Sequence, residues 1–145
     1  MIIQTGNPAP AFSLPDENGD VVNLADLRGQ RVVLYFYPKD DTSGCTAEAC
    51  GIRDQFPRFQ TQYATVLGVS PDDSHSHLAF KQKYSLPFTL LADAGQTVAQ
   101  VYGARGPRGT KRITYVIDEQ GQIQHAFEKI SPAEHAEELL EILGR

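Results

Sequence analysis

Arg31-Val32-Val33-Leu34-Tyr35-Phe36-Tyr37-Pro38-Lys39-Asp40-Asp41-Thr42-Ser43-Gly44-Cys45-Thr46-Ala47-Glu48-Ala49-Cys50 passes from strand to turn to helix within 20 residues. Its first seven residues are β-branched and aromatic with hardly a polar break, the pattern of a strand buried on both faces. Pro38 ends that strand. Lys39, Asp40 and Asp41 read as a solvated turn, with Asp41 close to the mouth of any site formed there. From Cys45 to about Tyr63, Ala49, Ile52, Phe56, Phe59 and Tyr63 recur at spacings of three and four, which predicts a helix. Pro57 inside that stretch predicts a kink or break. A buried strand that turns directly into a helix is the unit of a layered α/β domain.

The flanking sequence supports that class. Ala11–Leu14 and Val21–Leu24 bracket Asp16-Glu17-Asn18-Gly19 and predict an N-terminal β-hairpin. Strands are expected over Thr65–Val69 and Phe88–Leu91. Between them lies a helix capped by Ser74 or Ser76 that runs to Tyr84 and stops before Pro87. A short helix over Gln96–Tyr102 ends at Gly103, and the glycine-rich segment Ala104–Lys111 reads as a loop. Ile113–Ile117 and Gln122–Phe127 predict a second hairpin about Asp118-Glu119-Gln120-Gly121. Ser131, Pro132 and Glu134 are placed to be N-cap, N1 and N3 of a last helix, whose Ala136, Leu139, Leu140 and Leu143 face the core. Strands alternating with helices and closing on a hairpin predict an α/β fold with a mixed central sheet.

Length and composition bound the function. The 145 residues suit one domain, 1–145, large enough to bury roughly 70% of its unfolded surface without a disulfide or metal. Hydrophobic residues make up 41% and charged residues 21%, which argues against disorder. A net charge of −5 without runs of Lys or Arg disfavours nucleic acid as a partner. No apolar run approaches the roughly 18 residues of a membrane span, and Met1–Gly6 lacks the basic and apolar regions of a signal peptide. A cytoplasmic protein without a membrane partner is the expectation.

The two cysteines, Cys45 and Cys50, are too few for a disulfide framework. They are inert thiols, part of a metal site, or redox-active. Cys45 sits where a helix begins, and unpaired N–H groups with the helix dipole favour thiolate there. In an unbroken helix, residues five apart have Cα atoms about 8.6 Å apart. A disulfide wants roughly 7 Å or less. The two sulfurs can therefore join only if the first helical turn unwinds.

This segment resembles the peroxiredoxins, specifically the PrxQ group, also called bacterioferritin comigratory protein. The family signature of Pro, three residues, Thr, two residues, Cys is met by Pro38, Thr42 and Cys45, and Glu48 also matches. So do Gly68-Val69-Ser70, Ser76-His77, Phe80, Lys83-Tyr84, Leu86-Pro87-Phe88, Tyr102-Gly103, and Arg112 before Thr114–Asp118. Ser43 departs from the group, which usually has proline there.

The resemblance implies a thioredoxin-like fold, with a central mixed sheet flanked by helices and an N-terminal β-hairpin. It also implies a monomeric thiol peroxidase acting on hydrogen peroxide and organic hydroperoxides. Cys45 would be the attacking thiolate and Cys50 the resolving thiol that forms a Cys45–Cys50 disulfide. Thr42 and Arg112 would orient the peroxide and stabilise the departing oxygen, and Pro38 would shield the sulfur. A thioredoxin-like protein would supply the electrons, with no cofactor and no metal. By itself, Glu48 reads as an acid complementing the helix dipole, and His77 as a residue that caps or packs.

Three other readings compete. A metal site would use Cys45 and Cys50 with some of His75, His77, His125 and His135, but four residues separate the cysteines and the histidines are scattered. A thiol–disulfide oxidoreductase would need Cys-x-x-Cys, which is absent. A redox sensor would share the disulfide chemistry.

Overall fold

The computed structural model describes residues 2–145. β1 (Ser13–Pro15) and β2 (Val21–Asn23) form the expected hairpin. The Asp16 carboxylate accepts the N–H groups of Asn18 and Asp20 across its turn, as Asp does in Asx turns. The chain continues through β3 (Arg31–Phe36), α1 (Ser43–Asp54), α2 (Phe56–Thr61), β4 (Ala64–Ser70), α3 (Ser74–Tyr84), β5 (Thr89–Ala92) and α4 (Thr97–Val101). It then forms β6 (Arg105–Gly106), β7 (Gly109–Thr110), β8 (Ile113–Ile117), β9 (Ile123–Phe127) and α5 (His135–Leu143). The helix expected over residues 45–63 breaks at Gln55, so Pro57 sits in the first turn of α2, where its missing N–H costs nothing.

Five strands make one mixed sheet in the order β5-β4-β3-β8-β9. β3, β4 and β5 run parallel, β8 runs antiparallel to β3, and β9 antiparallel to β8. Period-2 alternation along β3 divides the core. Val33, Tyr35 and Tyr37 face one layer with Ile52, Phe59, Phe80 and Leu139 from the helices. Val32, Leu34 and Phe36 face the other, with Phe12 and Leu14 of the hairpin segment and with Val98 and Tyr102. Gly68 on β4 stands opposite Tyr35, and a Cβ there would come within 2.9 Å of that ring and hydroxyl. A small residue at this register is what lets a tyrosine lie flat on the central strand.

Three expectations shift. The cap of α3 is Asp73, whose carboxylate accepts the Ser76 N–H at 2.8 Å, rather than Ser74 or Ser76. A short aspartate side chain one residue earlier reaches the free N–H groups equally well. The Ala104–Lys111 loop contains the small β6–β7 ladder, with Gly109 at φ +114° allowing the reversal. α5 begins at His135 instead of Pro132. Ser131–Glu134 closes as a separate turn through Glu134 N–H to Ser131 C=O, so Ser131 does not cap the helix.

Candidate active site

The register of β3 against β8 builds the site. Phe36 pairs with Ile113, so Arg112, one residue before β8, lies beside the chain as it leaves β3. The chain then turns through residues 37–42 and enters α1 at Ser43, which puts Cys45 in the first helical turn. Cys45 is 1% exposed. The Arg112 guanidinium donates from Nη2 to Cys45 Sγ at 3.2 Å and from Nη1 to Glu48 Oε1 at 2.9 Å. Residues three apart share a helix face, so one rigid fork spans both side chains. A Cβ at Gly44 would stand 2.6 Å from Arg112 Nη2, so the guanidinium reaches the sulfur over a bare backbone.

The helix start adds donors. The first bond inside α1 is Thr46 N–H to Thr42 C=O, and the Thr42 side chain does not cap the helix. Among the described residues, the N–H groups of Ser43, Gly44 and Cys45 therefore remain for a ligand beside the sulfur. The exposed Thr42 hydroxyl donates to the Lys39 carbonyl at 2.9 Å, leaving its oxygen free to accept. Pro38 ends β3 as expected and lies exposed on the turn. Cys50 is half-buried on the same helix, and both thiols are free.

Two acidic side chains differ from the sequence reading. Glu48 is fully buried in the second turn of α1, as the partner of Arg112 rather than a first-turn acid that only complements the dipole. Burial pushes its carboxyl up to about 7, although Arg112 pulls the other way. Its Oε2 is one of the buried polar atoms without a partner among the described residues; the hydroxyl of Tyr35 is the other. Burial also holds Tyr35 well above the usual phenol range, reinforced by the charges of Glu48 and Cys45. Asp40, expected in solvent, is buried at 8% exposure. It accepts from Tyr37 Oη at 2.6 Å and Ser76 Oγ at 2.8 Å, and its Oδ2 lies 2.7 Å from His77 Nδ1. Its own N–H donates to Asp72 at 2.8 Å. His77 packs, as expected, with Nε2 at 2.9 Å from the Leu91 carbonyl.

The structure thus brings Thr42, Cys45, Arg112 and Pro38 to one end of β3. Sequence reasoning missed the buried roles of Glu48 and Asp40. Glu48 was detectable from its three-residue spacing to Cys45; Asp40 has the same spacing to Tyr37, but its other partners, Asp72, Ser76 and His77, come from α3 and the loop before it. Among the described residues, Asp40, Asp72 and His77 bring ligand-type atoms within 4.8 Å of one another, but this group includes neither cysteine. No described helix is long and apolar enough to cross a membrane.

Residues 5–126 match the AhpC/TSA family. The chain is 43% identical to peroxiredoxin Q, chloroplastic, of Oryza sativa subsp. japonica, over 97% of this chain and 67% of the rice protein. It is 40% identical to peroxiredoxin Bcp of Escherichia coli strain K12, over 95% of this chain and 94% of that one. A solved structure of Xanthomonas campestris bacterioferritin comigratory protein, from work on its alkyl peroxide reduction activity, superposes with a TM-score of 0.91 at 29% identity, covering 97% and 98% of the two chains. With that likeness running through sheet, turn and helix alike, the chain belongs to the AhpC/TSA family and, within it, to the Bcp/PrxQ peroxiredoxins.

Proposed function

We propose that this chain, as a single monomeric domain in the cytoplasm, reduces hydrogen peroxide and organic hydroperoxides at Cys45 and regenerates itself through Cys50. The Cys45 thiolate attacks one peroxide oxygen. An S–O bond forms as the O–O bond breaks, sulfur is oxidised to sulfenic acid, and the departing hydroxide or alkoxide takes up a proton from water, equal to the one Cys45 released on ionising. The product is water or an alcohol. The Cys50 thiol then attacks the sulfenic sulfur, forming S–S and releasing water. A dithiol protein of the thioredoxin kind reduces the disulfide by exchange, and no bound cofactor is needed.

The observation that carries this reading is the 3.2 Å contact from Arg112 Nη2 to Cys45 Sγ. An always-charged donor there favours the thiolate and stands where charge develops on the leaving oxygen. The free N–H groups of Gly44 and Cys45 point to the same use, and Thr42 Oγ1 can accept from the peroxide hydroxyl. Pro38, lacking an N–H, shields this end of the turn without competing for the peroxide. The alkyl peroxide activity named for the Xanthomonas protein supports including organic hydroperoxides.

The test is intact mass and thiol count after one equivalent of hydrogen peroxide is added to the reduced protein. We expect both thiols to disappear and peptide mapping to find Cys45 joined to Cys50. Cys50→Ser should oxidise once and then fail to turn over with thioredoxin, while Cys45→Ser should not react. Two unreacted thiols in the wild-type chain would overturn the reading. Oxidation of Cys45 alone would move the resolving thiol to another molecule.

A further inference from the structure

Helix α3 is tied to both ends of the segment that must rearrange for Cys45 to meet Cys50. Upstream, the buried Asp40 lies 2.7 Å from His77 Nδ1, inside the first half of α3. The next residue, Asp41, has φ +57°, a left-handed conformation uncommon outside glycine and one that aspartate adopts more readily than most residues. Its carboxylate is held by the far end of α3: Lys83 Nζ donates to Asp41 Oδ2 at 2.7 Å and Tyr84 Oη to Asp41 Oδ1 at 2.6 Å. Downstream, Arg53 in the last turn of α1 donates from Nη1 to the Tyr84 carbonyl at 2.8 Å. Residue 42, next in the chain, accepts the first hydrogen bond of α1.

We propose that α3 is a latch that holds α1 wound, with Asp40 and Asp41 as positioning residues that set when Cys45 is released toward Cys50. While Asp41 is held left-handed, Thr42 is aimed to start the helix, and Cys45 stays buried against Arg112. When its two partners let go, Asp41 relaxes, Thr42 leaves the start of α1, and the first turn loses its anchor. The contacts that stay made, at Asp40 and Arg53, confine the unwinding to the stretch between them, which contains both cysteines. The latch therefore governs a competition. A wound helix keeps the Cys45 sulfenic acid in the site, where a second peroxide converts it to sulfinic acid and is itself reduced to water or alcohol. An unwound helix delivers the sulfenic acid to Cys50.

The inference rests on the Cys45–Cys50 disulfide proposed above, and one experiment separates the two. Reduced protein is mixed with a graded series of hydrogen peroxide concentrations, and mass spectrometry reads the ratio of disulfide to sulfinic acid. The outer latch is cut in Lys83→Met/Tyr84→Phe, which removes the two donors to Asp41 and keeps the half-buried Tyr84 ring against the core, and the inner latch in Asp40→Asn. The outer variant should raise the ratio about threefold and the inner about tenfold, in line with the loss of charge-assisted hydrogen bonds of increasing burial. Thermal unfolding identifies any variant that has lost its fold, and the outer variant then carries the test alone. A buried variant at the far edge of the sheet, Ile123→Val, lowers stability without touching the α3 contacts; an equal rise of the ratio in that variant overturns the latch. An unchanged or lowered ratio in a folded variant overturns the latch. Absence of any disulfide in the wild-type chain overturns the underlying reading, and the latch with it.

Discussion

Two acidic side chains are buried on either side of the cysteine turn, and they are treated in opposite ways. Asp40 has an acceptor site filled on every side, by a tyrosine, a serine and a histidine. Glu48 has only Arg112, leaving one oxygen without a partner. A buried carboxylate with a full set of donors is a structural joint; one that is short of them stays poised between protonation states. The deficit falls on the residue that shares its arginine with the cysteine. The satisfied acid fastens the turn in place, so that the unsatisfied one can hold Arg112 over the sulfur.

The sharpest way to break this comparison is to empty the satisfied side. Asp40→Ala leaves His77, Tyr37 and Ser76 without their shared acceptor in the core. We expect a loss of about 3 kcal/mol or more in urea unfolding, since each buried polar group left without its partner costs about 1–3 kcal/mol. A loss within the range of an ordinary surface change would show that Asp40 is no joint.

The next effect concerns pH. Glu48 is held near 7 in the folded chain against an ordinary value of 4.5. Between these values the folded chain keeps a proton that the unfolded chain has released. The contribution of Glu48 to stability is therefore greatest below about pH 4.5 and falls by an amount of order 3 kcal/mol as pH rises to 7. Glu48→Gln should remove this decline. Buried His135 has the opposite sign, because burial holds its pKa below 6.5 and its contribution is lost as pH falls through that range. The quantity to compare is thus the difference between variant and wild type at pH 5 and pH 8. Parallel curves would show that Glu48 has the same proton affinity folded and unfolded.

A smaller effect sharpens the comparison at the sulfur. In Gly44→Ala the new methyl meets the guanidinium where it crosses the backbone, and a flexible side chain gives way. We expect stopped-flow oxidation of Cys45 to slow by about tenfold, with unfolding stability nearly unchanged. An unaltered rate would mean that the Arg112–Cys45 contact is not needed for attack.

How much was legible beforehand follows from the range of the interactions. β3, the start of α1 and the break before Pro57 were readable because strand burial, helical spacing and proline geometry act within a few residues. The misplacements were also local. A cap can move by one residue when aspartate and serine both compete for the same N–H groups, as at Asp73. A proline such as Pro132 is as much at home in a turn as at N1. Asp40 shows where sequence reasoning stops. Its neighbours Lys39 and Asp41 are exposed, and only the return of α3 and β4 past the turn buries it.

The sequence by itself determined the mixed α/β class, the turn into a helix that carries Cys45, and the need for that helix to unwind before Cys50 can be reached, since these depend on periodicity and spacing alone. Only the tertiary structure decided that Arg112 stands over the sulfur, that Glu48 is buried and under-satisfied, and that α3 grips both ends of the cysteine segment. These contacts join residues 30 or more apart in the chain, and their geometry is set by the pairing of β3 with β8 and the packing of α3, which no local pattern encodes.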